Sequence, residues 1–293
     1  MNRYLTAAIW PVGLLIIFGA AYLASRRNLA DPAVSAGRAD AQAGRHHNHR
    51  AGTRSSLSDA AVGSGRLLVT AVLGAVVAFG VMWLLGLLVV NHGLAIDKPV
   101  FTWIQNHPVH PVVAAMKRLT KIGDTWTTWG AAMAAAVCLA VGWRDKRWVP
   151  PVALVSLIVV DHYTTLALRH VFHRPGPPTS PLGTFPSGGC DRAIVFYGLI
   201  AYLLWREFSG RRSTAIWAGA VVAALGFNEA FSRVYLSLHW LTDALSGLLY
   251  GGLLLAGYIV AIRMAAGRPV APRAAHGTDV VPVAIAPTDG PAT

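Results

Sequence analysis

The chain has 293 residues, of which 54% are hydrophobic and only 13% are charged, and its formal net charge is +12 at pH 7. Soluble domains carry about 25% charged residues, so this composition excludes an ordinary soluble protein and favours a polytopic membrane protein. The chain is also too poor in cysteine, with two residues, for a disulfide framework.

The first apolar run, residues 6–24, is followed directly by Arg26 and Arg27. A signal-peptide core has roughly 7–15 apolar residues, so we predict a retained transmembrane anchor over residues 1–27 rather than a cleaved signal. Residues 28–65 are rich in Ala, Gly, Ser, Arg and His and show no apolar period, which predicts a disordered basic linker. Its histidines fit a basic segment near anionic headgroups, and we predict no metal site and no cofactor.

Six further apolar runs lie within residues 66–264, near 67–90, 126–143, 148–168, 193–205, 213–230 and 240–262. About 20 apolar residues cross a bilayer, so the pattern predicts an all-α membrane domain of six helices behind the N-terminal helix. The shorter runs suit helices that are buried among their neighbours. Residues 265–293 are rich in Ala, Pro and Gly and are predicted to form a disordered C-terminal tail.

Arginine and lysine residues cluster in every second connection between these runs. Cytoplasmic connections carry such an excess, so the linker and the C-terminus are predicted to be cytoplasmic in the plasma membrane. The segments 91–125, 169–192 and 231–239 then face outside. Because topology accounts for the positive charge, we predict the bilayer as partner and no nucleic acid; the sequence does not indicate which protein partners the chain has.

Two of the outer segments carry residues that suit phosphoryl transfer. In SRVYLSLHWLTD, residues 232–243, His239 and Asp243 are four residues apart and share one helix face. A carboxylate beside an imidazole fixes its tautomer and raises its basicity, and the guanidinium of Arg233 suits phosphate oxygens. This segment therefore predicts a nucleophilic histidine beside a phosphate ligand.

The segment 168–189 brings further polar groups to the same side, namely Arg169, Arg174 and Ser187, while Gly188 and Gly189 let backbone amides point at an anion. Taken singly, each residue is more often a helix cap or a snorkelling arginine. Their convergence on one face favours a functional site that works through a phosphohistidine.

These residues resemble the motifs of the type 2 phosphatidic acid phosphatase (PAP2) and vanadium haloperoxidase superfamily. The family motifs are Lys-x6-Arg-Pro, Pro-Ser-Gly-His and Ser-Arg-x5-His-x3-Asp. The third motif matches fully, at Ser232, Arg233, His239 and Asp243. The second matches at Pro186, Ser187 and Gly188, but Gly189 stands at the histidine position. The first matches loosely. Arg169 stands at the lysine position and Gly176 at the arginine position, while Arg174 matches the earlier arginine of members that have Arg-x-Arg-Pro there.

The resemblance covers residues 66–264 and implies a six-helix membrane bundle with an outward-facing site. It implies that His239 is the nucleophile, that Asp243 orients it, and that the phosphate ligands are Arg169, Arg174, Ser187, Gly188 and Arg233. It also implies that the residue that protonates the leaving oxygen is missing, because Gly189 replaces the motif histidine. Haloperoxidase chemistry is disfavoured, since those relatives are soluble and also use that histidine.

Three interpretations of Gly189 stay open. The chain is a lipid phosphatase that needs no acid, or it recruits another acid, or it is an inactive phospholipid-binding relative. The candidate substitute acids are His170, His173, Asp191 and Glu229, of which Glu229 is also an i,i+4 partner for Arg233. A transporter is a further alternative, disfavoured because the polar residues gather at one face. The expected substrate is a membrane lipid phosphate or diphosphate, with a polyprenyl diphosphate favoured.

Overall fold

The computed structural model describes residues 48–143, 146–178, 180 and 184–266, with side chains from residue 59 onward. These residues form helices and no strand, which confirms the all-α fold class. The α-helices are α1 (Asn48–His92), α2 (Leu94–Asn106), α3 (His110–Leu119), α4 (Thr125–Gly142), α5 (Val149–Phe172), α6 (Gly188–Leu204), α7 (Arg212–Tyr235) and α8 (Leu241–Ala266). A 3-10 turn, Thr120–Gly123, joins α3 to α4, and a π-helical turn, Trp205–Ser209, follows α6.

Five of the described helices are long and apolar enough to cross a membrane, namely α1 from Asp59, α4, α5, α7 and α8. The remaining predicted run, residues 193–205, corresponds to α6, which has 17 residues and many buried side chains. The protein is therefore an integral membrane protein, and the count of six helices plus an N-terminal one stays a prediction. The predicted anchor, residues 1–27, lies outside the described residues.

The predicted linker differs from the structure in its C-terminal part. Residues 48–65 are helical and continue without a break into α1, where a disordered segment was expected. Alanine and leucine in the stretch LSDAAV favour the helix. Residues 28–47 and 267–293, the rest of the linker and the predicted tail, lie outside the described residues.

Small residues let the helices of the bundle approach closely, as is common in membranes. A Cβ atom on Gly74 of α1 would lie 3.0 Å from Cα of Gly257 in α8, so these two helices touch through their backbones. On α8, Gly247 and Gly251 allow the first turn of α6 to pack directly against the helix, because Cβ atoms there would overlap the carbonyl oxygens of Ser187 and Asp191. The start of α6 is thereby fixed against α8.

The described parts of the three segments that were predicted to face outside meet at one end of the bundle. Asp97 of α2 is 1% exposed and accepts hydrogen bonds from the backbone nitrogen and the hydroxyl of Thr242 at the start of α8. Gly123, before α4, donates its backbone N–H to Glu229 of α7 at 3.2 Å. The start of α6 lies among these segments, and the polar cavity described below opens there.

Candidate active site

A polar cavity of about 290 Å³ lies at this end of the bundle. Three residues that the sequence predicted for the site, Arg169, Arg233 and His239, line it together with Gly189. Its other lining residues are Asp124, Thr125, Ser180, Thr184, Arg192 and Leu238. The cavity is at the small end of the range for ligand sites, about 300–1,000 Å³, which suits a charged headgroup rather than a whole lipid.

His239 is held in one tautomer by a backbone carbonyl. Its Nδ1 lies 3.1 Å from the carbonyl oxygen of Thr184, which only accepts hydrogen bonds, so Nδ1 carries the proton. Burial, reinforced by the positive charges of Arg169 and Arg233, lowers the pKa of His239 to about 3. The imidazole is therefore neutral at physiological pH, with Nε2 unprotonated and able to act as a nucleophile.

Asp243 does not orient His239 by a direct hydrogen bond, in contrast to the prediction. The closest approach of its carboxylate to Nδ1 is 4.0 Å, because the carbonyl of Thr184 takes the proton of that nitrogen. The carboxylate instead accepts hydrogen bonds from Arg174 and from the backbone of Trp240, and the backbone carbonyl of Asp243 accepts one from Ser187 at 3.0 Å. Asp243 thus joins the histidine segment to the start of α6.

Arg174 lies behind the cavity and does not line it, although it was predicted to bind phosphate. It is 3% exposed and forms ion pairs with Asp97, at 2.5 Å, and with Asp243. Both terminal nitrogens are used by protein groups, because Nη1 also donates to the hydroxyl of Thr242 at 2.9 Å. Asp97 was not singled out from the sequence; the only signal was an acidic residue within an apolar outer segment.

Arg233 is aimed into the cavity by three protein acceptors. Its Nε donates to Glu229 at 2.6 Å, and its Nη2 donates to Asp124 at 2.7 Å and to the carbonyl of Thr120 at 3.2 Å. Among the described residues no acceptor contacts Nη1, which leaves one guanidinium nitrogen for a ligand. Asp124 was not predicted as a site residue, and it lies in the outer segment before α4.

Glu229 occupies the space next to Gly189, where the family motif has a histidine. A Cβ atom on Gly189 would lie 2.7 Å from Oε1 of Glu229 and 2.8 Å from Nε and Nη2 of Arg233. Glu229 is fully buried and accepts hydrogen bonds from Arg233, from the backbone of Gly123 and from the hydroxyl of Thr120. Its contact with Nε of Arg233 makes Glu229 the ion-pair partner of that arginine.

The other candidate acids lie away from the cavity lining. His170 and His173 are exposed and contact each other, with 5.3 Å between ring centroids and 52° between the ring planes. Asp191 is fully buried and accepts a hydrogen bond from Thr165 of α5 at 3.1 Å. Within the described lining the only carboxylate belongs to Asp124, which is paired with Arg233. The described cavity therefore offers no obvious acid for the leaving group.

The start of α6 provides the predicted anion cradle in part. Ser187 and Gly188 are fully buried beneath the cavity rather than in its lining. Two arginines approach Gly188: a Cβ atom there would lie 2.7 Å from Nη2 of Arg169 and 3.0 Å from Nη1 of Arg192. Arg192 was not predicted as a site residue, although its position three residues after Gly189 on a helix places both on one face.

Residues 150–266 match the model of the PAP2 superfamily, so the resemblance seen in the motifs is confirmed. The chain is 26% identical over 110 residues to the Escherichia coli (strain K12) protein YbjG, named as an undecaprenyl-diphosphatase, covering 34% of this chain and 50% of that protein. It is 32% identical over 112 residues to phosphatidylglycerophosphatase B of Bacillus subtilis (strain 168), covering 34% of this chain and 53% of that protein. The chain thus spans about half the length of these curated relatives.

The fold also resembles a solved membrane protein. The crystal structure of a transmembrane PAP2-type phosphatidylglycerolphosphate phosphatase from Bacillus subtilis superposes with a TM-score of 0.57 at 20% sequence identity. The match covers 64% of this chain and 94% of that structure. The likeness is one of fold and supports the all-helical membrane bundle.

Proposed function

We propose that this chain, whose residues 150–266 match the model of the PAP2 superfamily, is an integral membrane lipid phosphatase. The observation that carries the proposal is the convergence of a neutral His239 with Arg169 and Arg233 in one polar cavity. A neutral imidazole attacks phosphorus through its free nitrogen, and guanidinium groups offset the negative charge that repels a nucleophile from a phosphate.

In the proposed reaction, Nε2 of His239 forms a bond to phosphorus while the bond from phosphorus to the leaving oxygen breaks. The electron pair of that bond goes to the leaving oxygen. Nδ1 keeps its proton, which stays hydrogen-bonded to the carbonyl oxygen of Thr184. Water then attacks the phosphohistidine, and the electron pair of the P–N bond returns to Nε2. The proton of the water leaves with inorganic phosphate or to solvent.

The preferred substrate in this proposal is a lipid diphosphate, such as a polyprenyl diphosphate. From a lipid monophosphate the leaving group is an alkoxide, a strong base that needs a proton, and a general acid contributes about 10²–10⁴-fold. From a diphosphate the leaving group is a phosphate monoester with a second pKa of about 6, which departs as an anion. Gly189 supplies no acid, and the candidate substitutes lie off the cavity lining. The relative named as an undecaprenyl-diphosphatase supports the same class.

We further propose that the cavity opens on the outer side of the plasma membrane, with the linker and the C-terminus in the cytoplasm. The clusters of arginine and lysine support this orientation. The described parts of the segments predicted to face outside meet at the cavity, whereas Arg206, Arg211 and Arg212 lie in the connection from α6 to α7 at the other end.

The direct test is phosphate release by the purified full chain in detergent, with a polyprenyl diphosphate, phosphatidic acid and phosphatidylglycerophosphate as substrates. His239→Ala should abolish release, whereas the matched variant His92→Ala, at an exposed position at the end of α1, should keep wild-type turnover. Phosphatidic acid cleaved as fast as the diphosphate would refute the argument from the leaving group.

The alternative functions predict different outcomes in the same preparation. An inactive lipid-binding relative would bind inorganic phosphate through its arginines but release none from any lipid. A transporter would move substrate across proteoliposomes without phosphate release. Turnover that persists in His239→Ala would exclude the phosphohistidine mechanism itself.

A further inference from the structure

A third arginine, Arg192, lines the cavity beside Arg169 and Arg233, although the family motifs quoted above do not include its position. It lies in the first turn of α6, three residues after Gly189. Residues three apart on a helix are neighbours on one face, so Arg192 extends from the face on which the motif histidine would stand. A fixed positive charge thus accompanies the missing proton donor.

The side chain of Arg192 is anchored at one end and free at the other. Its Nε donates to the carbonyl of Gly123 at 3.1 Å, which ties α6 to the segment before α4. Among the described residues no acceptor contacts its two terminal nitrogens. Because Nε already holds the guanidinium in place, the side chain loses little further conformational entropy when a ligand binds.

The guanidinium of Arg192 converges with that of Arg169. A Cβ atom on Gly188 would lie 3.0 and 3.4 Å from the terminal nitrogens of Arg192, and 2.7 Å from Nη2 of Arg169. Two positive groups this close repel each other unless an anion lies between them. Glycine at position 188 leaves the space open in which both groups meet.

Arg192 differs from Arg233 in how its charge is balanced. Arg233 has two carboxylates on its guanidinium, Glu229 and Asp124, and one nitrogen left for a ligand. The buried carboxylates of Asp161 and Asp191 attract the charge of Arg192, but no carboxylate among the described residues forms a direct ion pair with it. Both terminal nitrogens are thus left for the cavity, in the fork that binds phosphate oxygens.

We propose that Arg192 binds the second phosphate of a diphosphate substrate, the one that leaves with the lipid, while Arg233 holds the phosphate that is transferred. The inference rests on the proposed function. When the bond from phosphorus to the bridging oxygen breaks, its electron pair goes to that oxygen, and the guanidinium stabilises the charge on the departing phosphate. No proton is transferred, because arginine stays protonated throughout.

The first test measures binding of two inorganic ligands, phosphate and pyrophosphate, to the full chain in detergent, in a His239→Ala background that prevents cleavage. Arg192→Gln should weaken pyrophosphate binding about 10- to 100-fold, the range for a charge-assisted contact, and phosphate binding less than about threefold. Arg192→Lys, which keeps the charge, should lie between. Arg212→Gln, at an exposed position at the start of α7, should change neither affinity.

The second test separates this inference from the proposed function. With active protein, Arg192→Gln should lower kcat/KM for a polyprenyl diphosphate by the same factor and leave that for phosphatidic acid unchanged. If no lipid is cleaved but the preference for pyrophosphate depends on Arg192, the proposed hydrolysis fails and the phosphate subsite stands. Equal losses for phosphate and pyrophosphate, or no loss for either, overturn the subsite. If Arg192→Gln does not fold, the same comparison with Arg192→Lys decides.

Discussion

Gly189→Ala is expected to lower kcat/KM for a lipid diphosphate by about 10²-fold, although it adds a single methyl group. That methyl carbon would lie 2.7 Å from Oε1 of Glu229 and 2.8 Å from two nitrogens of Arg233. Carbon contacts are favourable at about 3.5–4.0 Å, so the ion pair has to move by most of an ångström. Loss of one properly placed donor to the reacting group costs about 10²–10³ in rate, and Arg233 would be displaced rather than lost.

The assay is steady-state phosphate release, with the melting temperature in detergent as a check of folding. The matched control is Gly80→Ala in α1, because a Cβ atom there meets nothing within 4 Å. In Gly189→Ala combined with Glu229→Ala, the clash with the carboxylate is removed. Glu229→Ala should therefore lower kcat/KM less in the Gly189→Ala protein than in the wild-type protein. A folded Gly189→Ala variant with wild-type kcat/KM would show that the position of Arg233 does not limit turnover.

The same contacts revise the simplest experiment on the missing acid. Gly189→His carries the same Cβ atom and should therefore impair the enzyme instead of restoring the family acid. Glu229→Ala removes the contact with the carboxylate and frees Nε of Arg233, so that the arginine can move aside for the imidazole. That double variant should raise the turnover of phosphatidic acid relative to a diphosphate, and an increase in Gly189→His alone would contradict the contacts seen here.

Three further measurements test other parts of the structure. Arg174→Met should lower the free energy of unfolding by about 3–5 kcal/mol, because it leaves two buried carboxylates unpaired, whereas Arg212→Met should leave thermal unfolding in detergent unchanged. Because the pKa of His239 is lowered to about 3, its protonation should not limit kcat/KM between about pH 8 and pH 5, and the acid limb should follow the substrate's phosphate, with its pKa of about 6; an acid limb that stays at the same pH when substrates of different phosphate pKa are compared would contradict this. In cysteine-free chains carrying a single new cysteine, Thr179→Cys should react with an impermeant maleimide on intact cells and Ser55→Cys should not, and the reverse labelling would invert the proposed topology.

The sequence predicted the site residues that lie at fixed spacing within one motif. Arg233 and His239 belong to one continuous motif, and both line the cavity as expected. The helices α1 and α4 to α8 followed from the length of the apolar runs, and their described ends lie within a few residues of the predicted ones except at the start of α1. The helices α2 and α3, within the outer segment 91–125, were not predicted. The N-terminal extension of α1 was missed because helical propensity, and not an apolar face, forms its first turns.

Glu229 was predictable as the i,i+4 partner of Arg233, but the other partners of these residues were not, because they come from parts of the chain that no spacing connects. Arg174 was assigned to phosphate since it carries a suitable charge, but Asp97, far away in the sequence, takes that charge in a buried ion pair. The orienting group of His239 is a backbone carbonyl, at Thr184, which a sequence pattern cannot reveal. A motif therefore indicates which groups react, whereas the acceptors that hold them depend on the tertiary fold.

Gly189 and Arg192 both favour a substrate whose leaving group is an anion, although they do so by different physical effects. A proton donor is needed when the departing oxygen is a strong base, and a glycine cannot supply one. A fixed guanidinium supplies no proton, but it stabilises charge that is spread over phosphate oxygens. The cavity thus combines a missing acid with an added cation, and the exchange favours a group that leaves as an anion over one that leaves as an alkoxide. Glu229 hinders the replacement of Gly189 by histidine, because its carboxylate fills the space that a histidine would need.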